Sequence, residues 1–166
     1  MQVDRERRSA HVSVLAASVL ASCLTLTSKQ TPFLIYNGSQ SAPIGLYFVD
    51  RSRPNRGDLV LVRPWPELAA LLVRHDILPP GIPLLKTVTA LAGDHVCRDG
   101  SVISINGVLA AEIRDSANGY VLSGWSGCRK LVSGELFLLQ PNPRSFDSRY
   151  FGPAFSCDVI GIAKPI

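Results

Sequence analysis

Ser41 sits in the segment Ser39-Gln40-Ser41-Ala42-Pro43-Ile44-Gly45, where Pro43 restricts the backbone of Ala42 and Gly45 leaves room for a substrate backbone. A serine hydroxyl in such a turn is a weak nucleophile until a neighbouring base takes its proton. The histidines, His11, His75 and His95, are far apart in sequence. An ordinary Ser-His-Asp triad is therefore hard to assemble, and a Ser-Lys pair is the alternative. Lys86 is the best lysine for that task. It lies in PLLKTVTAL among Leu84, Leu85, Val88 and Leu91, a setting in which a lysine either snorkels to water or is partly desolvated. Desolvation disfavours the ammonium, lowers the pKa and yields a neutral amine that can accept a proton. Lys29, Lys130 and Lys164 lack this apolar setting. A third segment, Ser145-Phe146-Asp147-Ser148-Arg149-Tyr150-Phe151-Gly152-Pro153, is compact enough to orient the base and brace the wall of a site. Each segment also has a plain structural reading: a polar turn at Ser41, a surface lysine on an edge strand, and a loop held by an Asp147–Arg149 ion pair.

The elements that must position these residues read as strands. Phe33 to Tyr36 closes at Asn37-Gly38, and Gly45 to Val49 and Leu59 to Val62 flank turn material from Arg53 to Asp58. Pro66 to Leu72 carries the one internal helix signal, with Leu68, Leu71 and Leu72 close to one face. The prolines and glycine between Ile77 and Pro83 end it. Leu84 to Leu91 predicts a buried strand carrying Lys86. Val96 to Arg98 and Val102 to Ile105 flank the Asp99-Gly100 turn, and Asn106-Gly107 supplies another. Tyr120 to Leu122, Leu136 to Leu139 and Val159 to Ala163 complete the set. Many short strands with Gly/Pro-rich turns predict an all-β body, closed or coiled, with about 96–133 as a small annex.

Composition narrows the classes. With 46% hydrophobic and 18% charged residues in 166, the chain is a folded domain rather than a disordered one. The net charge of +4 is spread thinly, so no basic stripe for nucleic acid forms. The charge suits solubility and attraction to anionic lipid. Cys23, Cys97, Cys128 and Cys157 form no CxxC and no zinc spacing with histidine, so neither a metal nor a cofactor is expected. Arg5, Arg7 and Arg8 precede a stretch from Val12 to Thr27 that is nearly free of charge. That is the pattern of a signal peptide or signal anchor over residues 1–28, ahead of a body at 29–166. The stretch is short for a spanning helix, which needs about 20 apolar residues. Leu20-Ala21-Ser22 before Cys23 has the form of a relaxed lipoprotein box, making Cys23 a candidate for lipidation. A buried N-terminal helix is disfavoured because the stretch lacks a polar face.

Taken together, the three polar segments resemble the signal-peptidase clan of serine proteases, and within it the TraF-type conjugal transfer proteases. The resemblance runs from about Phe33 to Pro165. It is carried by Asn37 through Tyr47, by Arg56-Gly57-Asp58-Leu59-Val60, by Lys86 through Asp94, and by Ser145 through Pro153. Ala42 stands where ordinary signal peptidases usually carry methionine, and Thr87 follows Lys86 where arginine is frequent; both departures favour the conjugation branch. The resemblance implies Ser41 as acylating nucleophile and Lys86 as general base. The Ser41 N–H and the Ser39 hydroxyl would stabilise the oxyanion. Ser145 would orient the lysine, with Asp147 and Arg149 in support. It also implies coiled antiparallel sheets or a partly open barrel, a small annex and an N-terminal hydrophobic helix. A Cys97–Cys128 disulfide would lie in the annex, with Cys157 a buried thiol. The implied substrate is a pilin precursor, cleaved by water or passed to a peptide amine. The implied location is the periplasmic face of the bacterial inner membrane, or the periplasm if the signal is removed, near type IV secretion components. The alternatives are a general signal peptidase, a non-enzymatic periplasmic assembly factor and an exported binding protein.

Overall fold

The computed structural model describes residues 33–113 and 124–166. The expected N-terminal helix, Cys23 and the strand at Tyr120 to Leu122 lie outside those residues. Period-2 alternation produces the first hairpin: β1 (Phe33–Asn37) pairs antiparallel with β2 (Gly45–Asp50). In β2, Tyr47 and Val49 point inward while Leu46 and Phe48 face out. The hairpin's connection is the Ser39–Ile44 loop.

β3 (Leu59–Val62) and β4 (Leu84–Leu91) expose no residue because they lie inside the sheet, and β4 alternates only between buried and half-buried positions after Lys86. Between them runs α1 (Pro66–Arg74), with Pro66 in the first turn and Leu68 and Leu72, one turn apart, buried. β5 (His95–Asp99), β6 (Val102–Ile105), β7 (Val108–Glu112) and β8 (Gly127–Lys130) form a second sheet, ordered β7-β6-β5-β8. β9 (Glu135–Leu139), α2 (Ser148–Phe151), β10 (Ala154–Phe155), a short 3-10 turn (Ser156–Asp158) and β11 (Val159–Pro165) follow. The main sheet has the order β1-β2-β11-β3-β4-β9-β10, antiparallel throughout. It is open. The expected closed or partly open barrel is therefore an open sheet whose outer strands are β1 and β10.

β4 thus lies between β3 and β9 in the interior of the sheet, and Lys86 faces Val60 across the β3 ladder. One apolar cluster joins Val60, Val62, Val88, Leu136, Leu138 and Ile162, and another joins Ala42, Tyr47, Val49, Leu61 and Leu85 beneath the Ser41 loop. β11 presses on β2 at Gly161, where a Cβ would come within 2.6 Å of the Asp50 carbonyl. Only glycine permits that approach.

Cys97 and Cys128 are directly opposite in the β5–β8 register and joined by a disulfide, 31 residues apart in sequence. Cys157 differs from the expectation of a buried thiol. It is exposed and free, because it falls in the 3-10 turn that leads the chain out between β10 and β11. Replacing Cys97 and Cys128 together by serine is expected to cost about 3–4 kcal/mol, from the loop they close. Thermal unfolding under non-reducing conditions checks this, and an unchanged midpoint would contradict it.

Candidate active site

Asn37, the last residue of β1, organises the loop that presents Ser41. Its Nδ2 donates to the carbonyls of Ser39 (3.0 Å), Ala42 (3.1 Å) and Pro43 (2.9 Å). Its Oδ1 accepts from the Ser39 N–H (3.1 Å) and the Ser39 hydroxyl (2.9 Å). Tyr47 donates its hydroxyl to the Pro43 carbonyl at 2.6 Å, and Asn142 Nδ2 holds the Gln40 carbonyl at 3.2 Å. With Ser39 giving its only hydroxyl proton to Asn37, the 2.8 Å bond between Ser39 Oγ and Ser41 Oγ is donated by Ser41. Gly45 has φ 154, and the position of its missing Cβ is open space.

Lys86 is 3% exposed, and its Nζ donates to Ser145 Oγ at 2.7 Å. Burial without a contacting carboxylate lowers its pKa from 10.5 to about 8; Asp147 pulls it up more weakly and Arg149 pushes it down. At neutral pH the amine is therefore much closer to losing its proton than a surface lysine.

A buried ion pair braces the segment that carries Ser145. Arg149 donates from Nε to Asp147 Oδ1 at 2.7 Å and from Nη2 to Oδ2 at 3.0 Å. The same guanidinium caps the carbonyls of Gln140 (2.8 Å), Pro143 (3.3 Å) and Glu112 (3.3 Å). Asp147 also caps α2, accepting from the Arg149 N–H, and takes the Gln140 N–H at 3.0 Å. Burial raises the proton affinity of Asp147, and its bonds to Arg149 pull it back. The ion pair is thus the frame of the 140–149 segment.

Ser41, Lys86 and Ser145 line one cavity of about 1120 Å³. β1 contributes Ile35, Tyr36 and Asn37 to one side, the segment after α1 contributes Ile77, Leu78 and Ile82, and Phe146 and Tyr150 stack at 5.3 Å. Among the described residues no group of His, Cys, Asp and Glu could hold a metal, and no helix is long and apolar enough to cross a membrane.

A family model described as signal peptidase, peptidase S26, matches residues 7–166. The chain belongs to that family. Membership makes it a serine-type endopeptidase. It is homologous to TraF-type conjugal transfer proteins. It is 31% identical to a conjugal transfer protein TraF of Agrobacterium tumefaciens, over 96% of each chain. It is also 31% identical to a probable conjugal transfer protein TraF of Sinorhizobium fredii, over 92% of this chain and 86% of that one. A plasmid transfer protein TraF of Escherichia coli is 27% identical, over 78% and 80%. A crystal structure of a signal peptidase I from Enterococcus faecalis aligns at a TM-score of 0.42 and 26% identity, over 68% of this chain and 98% of that one.

In this S26 peptidase Ser39, Ser41, Lys86 and Ser145 line one cavity, and the buried Asp147 and Arg149 act on Lys86 through their charge. Cys97 and Cys128 lie apart from them, in the second sheet. The sequence marks Asn37 as turn material and as the first residue of the motif running to Tyr47, without a role of its own, and does not single out Gln140 or Asn142. Their roles come from hydrogen bonds between segments far apart in sequence; only the Asn-Gly at the end of β1 hinted at the first.

Two outcomes follow from these geometries. Asp147→Asn leaves the Arg149 guanidinium buried without its counter-charge, so a loss of about 3–5 kcal/mol is expected in urea unfolding. A loss below 1 kcal/mol, the scale of an exposed pair, would contradict the burial. For Lys86, the unfolded chain keeps its proton up to about pH 10.5 while the folded chain releases it near pH 8. Folding stability from this group therefore rises with pH across that window. Lys86→Met is expected to be more stable than the parent below pH 8, with the difference shrinking toward pH 10.5. Urea unfolding at several pH values checks it, and a difference independent of pH would contradict it.

Proposed function

We propose that this peptidase processes a conjugative pilin precursor outside the cytoplasm, with Ser41 as nucleophile and Lys86 as general base. The observation that carries the reading is the pairing, in one cavity, of a buried low-pKa lysine held by Ser145 with a serine on a loop braced by Asn37. The conjugal transfer names of the relatives support the substrate class. The Cys97–Cys128 disulfide suits an oxidising compartment such as the periplasm. The apolar stretch in residues 12–27 would deliver the chain to the inner membrane as signal or anchor, with Cys23 open to lipidation.

The precursor adds as an extended segment along the outer edge of β1, which leads to Ser41. Ser41 Oγ turns from Ser39 toward Lys86 Nζ. The bond that Nζ donates to Ser145 fixes the amine, so its lone pair can face the serine. Lys86 takes the proton as Oγ attacks the scissile carbonyl, and the Ser41 N–H holds the oxyanion together with the Ser39 hydroxyl, which swings its proton away from Asn37 to do so. The ammonium then protonates the leaving amine as the peptide bond breaks. Water yields a linear product, and a peptide amine yields a cyclic one; both release Ser41. Asp147 and Arg149 support this chemistry by bracing the segment that carries Ser145.

Ser41→Ala is expected to lower precursor processing by about a thousandfold or more, with the fold retained. Mass analysis of the pilin product checks the rate and distinguishes linear from cyclic. Undiminished processing by the purified variant would refute the reading. Equal rates on a secretory precursor would point to a general signal peptidase instead.

A further inference from the structure

The ladder between β4 and β9 ends at Thr87 opposite Leu139. One residue further, the antiparallel register would set Gln140 opposite Lys86, where the reacting nitrogen has to be held. The main-chain groups of Gln140 are committed elsewhere, its N–H to Asp147 Oδ2 at 3.0 Å and its carbonyl to Arg149 Nη2 at 2.8 Å. The side-chain amide replaces the ladder. Nε2 donates to the Leu85 carbonyl at 3.2 Å, and Oε1 accepts from Thr87 Oγ1 in a long bond of 3.5 Å. One buried amide therefore grips the residues on either side of Lys86, while its own backbone is tied to the ion pair that frames Ser145.

We infer that Gln140 is a positioning residue for this peptidase, fixing the strand that carries Lys86 against the segment that carries Ser145. The inference rests on the proposed Ser41–Lys86 chemistry and assigns a role that neither residue fills. Lys86 Nζ and Ser145 Oγ lie 2.7 Å apart but on different elements, so their spacing depends on what couples β4 to the segment after β9. Gln140 is the first residue of that segment, and its side chain hydrogen-bonds to β4 on both sides of Lys86. An apolar side chain of the same length would leave the Leu85 carbonyl without this donor. β4 could then move from Ser145 and admit water beside Nζ.

The charged groups acting on Lys86 are Asp147 and Arg149, and the cavity also holds Asp76, Arg144 and Tyr150. From β3 it faces Val60, and β9 offers the apolar Leu138 and Leu139. Gln140→Met changes none of them, so a displaced Lys86 titration reports position and water access rather than a new charge.

The test compares the full-length enzyme with Gln140→Met, Thr87→Val and Thr87→Ser, on a synthetic peptide covering the cleavage junction of the pilin precursor. For Gln140→Met, kcat is expected to fall about tenfold with KM within about twofold. The rising limb of its pH–rate profile should move to higher pH, toward the ordinary lysine value, while Tm shifts by only a few degrees. Thr87→Val should move the limb in the same direction by less, and Thr87→Ser, which keeps the hydroxyl, should match the parent. An unmoved profile, or a loss of rate that merely tracks Tm, would overturn the inference. If Gln140→Met does not fold, an unmoved profile in Thr87→Val overturns it. Ser41→Ala in the otherwise unaltered enzyme separates the two failures. Activity surviving there refutes the dyad, whereas a silent Gln140→Met beside an inactive Ser41→Ala refutes only the role of Gln140.

Discussion

An ammonium taken out of water must be compensated by an opposite charge, or it surrenders its proton. Lys86 goes the second way once the pH passes about 8. It is buried on an interior strand, its hydrogen bond goes to the neutral hydroxyl of Ser145, and its pKa falls to about 8. The carboxylate that acts on it, Asp147, is engaged with Arg149. Had Asp147 paired directly with the lysine, the amine would have stayed charged and useless as a base. The Asp147–Arg149 pair thus does two things: it frames the 140–149 segment and keeps its carboxylate occupied.

The rest of the fold serves that arrangement. Placing β4 between β3 and β9 removes water from the lysine, and the end of the β9 ladder opens the space in which Ser145 reaches it. The β1–β2 connection brings Ser41 to the same cavity, with Asn37 gathering the loop's carbonyls and Asn142 reaching across from the segment that carries Ser145. Ser41 and Ser145 come from two connections of one open sheet, and Lys86 from the interior strand between them. Their precision comes from hydrogen bonds that tie those connections to each other and to β4.

Much of this was legible in the sequence, for identifiable reasons. Leu59–Val62, Leu84–Leu91 and Val102–Ile105 were read at the limits the structure gives them, because continuous or alternating apolar runs end at clear turn residues. Lys86 drew attention because a lysine in such a run must be desolvated or snorkel, and Asp147 with Arg149 because opposite charges two residues apart pair readily. β7, β8 and β10 were missed. β8 is exposed along its whole length and carries no apolar pattern, and β10 is two residues long. Cys157 was misjudged because burial there depends on a turn whose direction no local pattern encodes. Asn37, Gln140 and Asn142 act through partners in other segments, and polar residues that bridge segments leave no periodic trace.

The central claim is that Lys86 is neutral within reach of physiological pH because of where the fold puts it. Carbon-13 NMR of the lysine Cε resonances, with the Lys86 signal assigned by its loss in Lys86→Met, measures this directly. The account predicts a midpoint near 8 for Lys86, apart from the other lysines. A midpoint near the ordinary 10.5 would contradict it.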